Sequence, residues 1–201
     1  MIQSSRGKLS IQVAPLKLFI ISGPSGVGKT TLIQSILSSD ATLKRAITCT
    51  TRRSRSNEID GVDYFFIDKK TFLEWIQADL FVEWEEIYDN LYGVLRSQID
   101  SLLREKFFPI VGLGTQGALS LADLYPCILI FLEPASDCSL KKRLLDRGEE
   151  SKTEIKVRLN QNAKMMSCLD KYDYIISCSD LSSTRSALLK IIQTEKTSTS
   201  S

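Results

Sequence analysis

Apolar residues in this chain follow a rhythm of short buried strands and amphipathic helices, and the place where the rhythm breaks divides the sequence. Leu16–Ile21, apolar but for Lys17, ends at Ser22-Gly23-Pro24 and predicts a strand buried on both faces, the kind found in parallel sheets. Thr30–Leu37 follows, with Leu32, Ile33, Ile36 and Leu37 on one helical face. Phe107–Leu113 and Cys127–Leu132 are two more apolar runs, each followed by helix-like sequence, and Tyr174–Ser177 is a fourth. Leu181, Thr184, Leu188 and Ile191 mark a closing helix. This alternation predicts an α/β fold, a parallel sheet flanked by helices.

Between Ile47 and Val94 the pattern changes. Asn57, Asp60 and Gly61 are turn signals, Tyr64-Phe65-Phe66 is an aromatic run, and a helix is expected with Phe72, Leu73 and Ile76 inward. This reads as an inserted α+β region, about residues 48–94, within one domain whose core covers about 16–47 and 95–195. Leu95, Ile99, Leu102 and Leu103 mark the helix after the insert, and residues 141–160 are densely charged. The tail, Thr194–Ser201, is mostly Ser, Thr and charge and is expected to be disordered from about residue 195.

Composition narrows the chemistry. The 201 residues are 43% hydrophobic and 25% charged with a formal net charge of +2, an ordinary balance that points to no nucleic-acid partner. No apolar run reaches the roughly 20 residues of a membrane span. The N-terminal stretch carries Arg6 and Lys8 but no secretory-type apolar run, and reads as a flexible terminus. There is no histidine, which excludes Ser-His-Asp and Cys-His catalysis and argues against structural zinc. Five cysteines without a CxxC pair fit reduced thiols in a cytoplasmic protein.

The strongest chemical signal is Gly23-Pro24-Ser25-Gly26-Val27-Gly28-Lys29-Thr30, a complete G-x-x-x-x-G-K-[ST] followed by Thr31. Its glycines let successive N–H groups face one anion, and the helix behind adds its positive end. Lys29 is placed to reach the β- and γ-phosphates of a nucleoside triphosphate, and the Thr30 hydroxyl to ligate Mg²⁺. A second cluster, Arg52, Arg53 and Arg55, is a candidate anion site because guanidinium forks bind phosphate oxygens in pairs.

The P-loop, followed by T-T-R-x-x-R-x-x-E-x-x-G-x-D-Y-x-F from Thr50 through Phe66, resembles guanylate kinases. The resemblance continues at Phe81-Val82-Glu83-Trp84, Asn90-Leu91-Tyr92-Gly93, Gln116-Gly117-Ala118, Arg143–Gly148 and Lys156–Leu159, in family order from Leu18 to Ile192. It implies a nucleoside monophosphate kinase fold with a GMP-binding insert and a helical lid at about 141–160. It also implies transfer of a phosphate from ATP to GMP with Mg²⁺, with GMP and ATP as the partners. By the same resemblance Arg52, Arg55, Tyr64 and Tyr92 hold the GMP phosphate, Glu83 accepts hydrogen bonds from guanine N1–H and its exocyclic amine, and Thr48 contacts the base. Arg147 and Arg158, with Arg143 as a third candidate, close from the lid over the phosphates.

Five positions in three places depart from that pattern. Gly112 and Gly114 stand where the family usually carries aspartates, one near the metal and one near guanine, and no carboxylate lies between Phe107 and Ala122. Val94 replaces a usual Ser or Thr, and Cys178-Ser179 a more polar pair ahead of Asp180. An aspartate restored at 112 or 114 is expected to raise activity. The departures keep two other readings open: a nucleotide-binding module with little turnover, and a P-loop kinase with another acceptor.

Overall fold

The computed structural model describes residues 16–56, 58–87, 89–135 and 168–198. Strands β1 (Leu18–Ser22), β2 (Leu43–Arg45), β7 (Phe108–Gly112), β8 (Cys127–Pro134) and β9 (Tyr174–Cys178) form a sheet in the order β2-β7-β1-β8-β9, every pair parallel. Successive residues of β1 serve opposite faces. Phe19 and Ile21 join Leu32, Ile33 and Ile36 of α1 (Lys29–Leu37) and Leu188 and Ile192 of the last helix, α5 (Leu181–Ser198). Leu18 and Ile20 join Ile99 of α3 (Arg96–Arg104) and Ala118 and Leu121 of α4 (Thr115–Ala122). Burial on both faces is why these strands carry apolar runs rather than alternation. Each such side chain contributes about 1.5–3 kcal/mol by leaving water.

The inserted region builds a second sheet, β4-β3-β6-β5, from β3 (Cys49–Thr50), β4 (Phe65–Phe66), β5 (Phe81–Ile87) and β6 (Asn90–Leu95). β3 pairs antiparallel with β6 and parallel with β4, and β5 pairs antiparallel with β6. One face packs Cys49, Phe81 and Leu91 against Phe72 of α2 (Lys69–Gln77). Asp68 caps α2, its side chain accepting from Thr71 N at 2.9 Å. The opposite face carries Thr50, Tyr92 and Glu85.

Several expectations need correction. Leu73 does not point inward: it is 44% exposed, because the short α2 offers the sheet only Phe72 and its neighbours one turn away. Ile192, not Ile191, is the buried position near the end of α5, and Leu181 is exposed. Residues 194–198 are helical rather than disordered. Glu195 pairs with Lys17 at 2.7 Å and accepts from the Tyr174 hydroxyl at 2.6 Å, while Lys196 pairs with Asp40 and lies 4.8 Å from the centre of the Phe108 ring. Strand β2 adds an edge the apolar runs do not announce, since Leu43 is its one buried residue.

Candidate active site

The parallel strands deliver their C-terminal ends to one edge, where ligands of open α/β sheets bind. After β1 the chain turns through Gly23–Gly28 into α1. Gly23 has φ +140°, and a Cβ there would lie 2.6 Å from the Leu132 carbonyl oxygen, so neither the backbone nor the space admits a side chain. Gly28, at φ +107°, opens α1 without a side-chain cap, leaving the first amides of the helix to an anion. Lys29 Nζ donates to the carbonyls of Gly23 at 2.6 Å and Pro24 at 3.1 Å, which holds the ammonium over the loop. A cleft of about 390 Å³ beside it is lined by Val27, Thr31, Leu132, Cys178, Asp180 and Thr184 among others.

Period-two alternation in the second sheet gathers the acceptor-side residues on one face. Tyr92 stands opposite both Thr50 and Glu85, and Val94 opposite Glu83. Thr48 precedes β3 and is buried, as is Glu83. Arg52 and Arg55 lie in the loop after β3, and one carboxylate organises both. Glu58 accepts from Arg52 Nη2 at 2.8 Å and from the Arg55 backbone N–H at 2.9 Å, and lies 3.6 Å from Arg55 Nη1. Burial works against the Glu58 charge, but these partners win and hold it below the usual carboxylate range. Burial would likewise lower the Arg52 pKa, yet Glu58 and Tyr92 raise it. The Arg52 guanidinium also lies over Tyr64 and Phe66, at 5.3 and 5.7 Å from the ring centres. Tyr64 meets Tyr92 edge-on, with centroids 6.2 Å apart.

Two links join this insert to the P-loop helix. The Thr30 hydroxyl stands beside the Tyr64 phenol; burial and Tyr92 raise that phenol's pKa, while Arg52 and Thr30 oppose the rise. Gln34 of α1 donates to Asp63 Oδ1 at 2.6 Å, and Asp63 Oδ2 accepts from Ile59 N at 2.9 Å. Arg45 donates to the Asp63 carbonyl at 2.6 Å. Asp63 thereby fixes the residue next to Tyr64 against α1.

The base side is acidic. Glu83 is 6% exposed, and neither of its oxygens has a hydrogen-bond partner among the described residues. Burial first, and then the neighbouring Glu85, push its pKa up to about 8. Glu85 belongs to none of the sequence motifs. It extends from β5 to the start of α4, where Gly114 N donates to its Oε1 at 3.1 Å. A carboxylate therefore reaches position 114 from another strand, although none lies near it in sequence. An aspartate added at 114 would oblige Glu85 to move, since a Cβ there lies 2.3 Å from Glu85 Oε1. The available signal was the spacing: Glu83 and Glu85 at i and i+2 share a strand face, whereas Trp84, 48% exposed, takes the other. Val94 is fully buried with Val111 and Leu113 and brings no polar group. Arg143, Arg147 and Arg158 lie outside the described residues.

A P-loop on a parallel sheet, facing an inserted sheet that carries guanidiniums, phenols and a buried acid, defines a nucleoside monophosphate kinase fold. The guanylate kinase family model matches residues 16–195. The chain is 36% identical over 182 residues to guanylate kinase of Thermotoga maritima, covering 90% of this chain and 87% of that one. It is 35% identical over 181 residues to that of a Wolbachia species of Brugia malayi, covering 89% and 93%. A crystal structure of guanylate kinase from Anaplasma phagocytophilum superposes with a TM-score of 0.76 at 25% identity, covering 90% of this chain and 87% of that one. The chain belongs to the guanylate kinase family. Among the described residues no helix is long and apolar enough to cross a membrane.

Proposed function

We infer that this enzyme transfers the γ-phosphate of ATP to GMP, giving ADP and GDP, with small-molecule substrates and in the cytoplasm. The observation that carries the reading is the bare, buried Glu83 carboxylate on the same sheet face as Tyr92, next to the Arg52–Arg55 cradle. Guanine offers N1–H and an amine side by side, a donor pair that matches two free carboxylate oxygens. Adenine has no such pair, so AMP would leave a buried acceptor unpaired, a costly mismatch. The same contact stabilises guanine by letting Glu83 ionise against two donors.

Arg52 and Arg55 hold the acceptor phosphate, with Tyr64 and Tyr92 beside them and Thr48 toward the base. Gly23–Gly28, Lys29, Thr30 and Thr31 cradle the donor phosphates, and the adjoining cleft takes the nucleoside of ATP. The acceptor is already an anionic oxygen, so alignment and charge neutralisation suffice without a strong base. Arg147 and Arg158, with Arg143, are assigned to the lid on the strength of the motifs they occupy. No cluster of three or more Cys, Asp or Glu side chains among the described residues could hold a metal by itself. The Thr30 hydroxyl would be the chain's own ligand to Mg²⁺, a cation that takes few protein ligands at nucleotide sites. When bound, Mg²⁺ supplies charge to the transferring phosphoryl group.

The test is a panel assay with ATP and Mg²⁺ against GMP, AMP, CMP and UMP, following the diphosphate product. GMP-dependent turnover is expected, and Glu83→Gln should narrow the gap between GMP and AMP. GMP binding without turnover would identify a nucleotide-binding module, and preference for another monophosphate would identify a different acceptor.

A further inference from the structure

The first turn of α4 lies against two carboxylates of β5, which occupy the space where Gly114 and Gly117 have no side chain. Gly114 has φ −67° and ψ 171°, a conformation open to any residue, so its backbone does not require glycine. Its space is taken by Glu85 as the side chain now lies: a Cβ would stand 2.3 Å from Glu85 Oε1 and 2.9 Å from Oε2, so a side chain at 114 would oblige that carboxylate to move. Gly117, one turn on, would place a Cβ 2.4 Å from Glu83 Oε2. Helix α4 has no side-chain cap of its own, and Glu85 supplies one, accepting from Gly114 N at 3.1 Å with the Gly117 amide also facing it. Held there, Glu85 also faces Lys29.

Alternation puts Glu85 on the same face as Glu83, about 7 Å along the strand. Glu83 can meet N1–H and the nearer amine hydrogen of guanine. The second amine hydrogen points away from that pair and needs another acceptor. We propose that Glu85 is a specificity-determining residue of the acceptor pocket, a second carboxylate that accepts a hydrogen bond from the exocyclic amine of guanine. This rests on GMP being the acceptor. Glu85 thereby returns to the pocket, from β5, the carboxylate that position 114 lacks.

Inosine monophosphate is the discriminating probe, since hypoxanthine keeps N1–H and lacks the amine. Equilibrium binding of GMP, IMP and AMP is measured for the unmodified protein, for Glu85→Ala, and for Glu85→Ala combined with Gly114→Asp. The unmodified protein should favour GMP over IMP by roughly 10- to 100-fold, as one hydrogen bond to a buried charge allows. Glu85→Ala should lower that preference by about tenfold by weakening GMP while leaving IMP nearly unchanged, the remainder being the amine contact of Glu83. The double variant, which places a carboxylate at 114 in the space Glu85 vacates, should restore it. Equal loss of GMP and IMP binding would mean that Glu85 only caps α4, and an unchanged GMP-to-IMP ratio would mean that the amine is read elsewhere; either overturns the proposal. Equal binding of GMP and IMP by the unmodified protein would do the same. Failure to favour GMP over AMP would instead sink the function reading itself. If Glu85→Ala alone does not fold, the double variant decides: a GMP preference there supports the proposal and its absence ends it.

Discussion

The Arg52 guanidinium lies over the Tyr64 ring, 5.3 Å from its centre. Tyr64 thus has two parts with separate consequences: a ring beneath the acceptor-side cation and a hydroxyl beside Thr30. Tyr64→Phe keeps the ring and should raise the KM for GMP by up to about tenfold, with kcat reduced less. Tyr64→Leu loses the ring as well and should cost more. Steady-state kinetics of the two variants separate the contributions.

Glu58 holds Arg52 and Arg55 in place, so Glu58→Gln should weaken GMP binding although Glu58 is not assigned to the nucleotide. Its folded pKa lies below the usual carboxylate value, so its stabilisation is fully present above the unfolded pKa of about 4.3 and fades as pH falls through the lower folded value. The variant should therefore melt below the unmodified protein at pH 7 and converge with it in acid. Melting curves from pH 7 down to about 3 check this.

Glu83 has the opposite sign. Its pKa is pushed up to about 8 in the folded chain, so between the unfolded value and about 8 the folded state binds more protons than the unfolded one. Stability from this group therefore declines as pH rises through that window. Glu83→Gln removes the titration, and the variant should gain stability relative to the unmodified protein between pH 5 and pH 9. A constant difference in melting temperature across that range would contradict it.

Gly117→Ala sets two effects against each other. Alanine favours the helix by about 1 kcal/mol, but its methyl would enter the space of Glu83 Oε2, 2.4 Å away. The variant should stay folded and lose GMP affinity by at least about tenfold, read by titration calorimetry.

Lys29→Ala removes an ammonium held by the Gly23 and Pro24 carbonyls and assigned to the donor phosphates. Transfer should fall by at least about 10²–10³-fold. The melting temperature should move by no more than about 4 °C, the shift expected of roughly 1 kcal/mol in a chain of this size. Undiminished turnover would remove the P-loop from the mechanism.

The parallel sheet was legible because burial on both faces leaves unbroken apolar runs, as at Leu18–Ile21. The turn from β1 into α1 was legible because loop geometry demands particular residues, Gly23 above all. Strand β2 was not, since one buried leucine in three residues carries no periodic signal. Glu85 was missed for a different reason. Its partner is a backbone amide 29 positions away, and its value depends on a side chain that Gly114 does not have. Contacts made through space by an absence leave little trace in a linear reading. The α5 extension was obscured by composition: Thr194–Ser198 reads as a polar tail until Lys17 and Tyr174 are found against Glu195.

The Gln34–Asp63 bond sits about five residues along α1 from Lys29, roughly 7.5 Å of helix. The helix behind the P-loop is therefore also the support of the inserted region. Asp63, bonded to Gln34, is joined to Tyr64 by a single peptide unit, so the inserted sheet is pinned to α1 rather than tethered loosely to it.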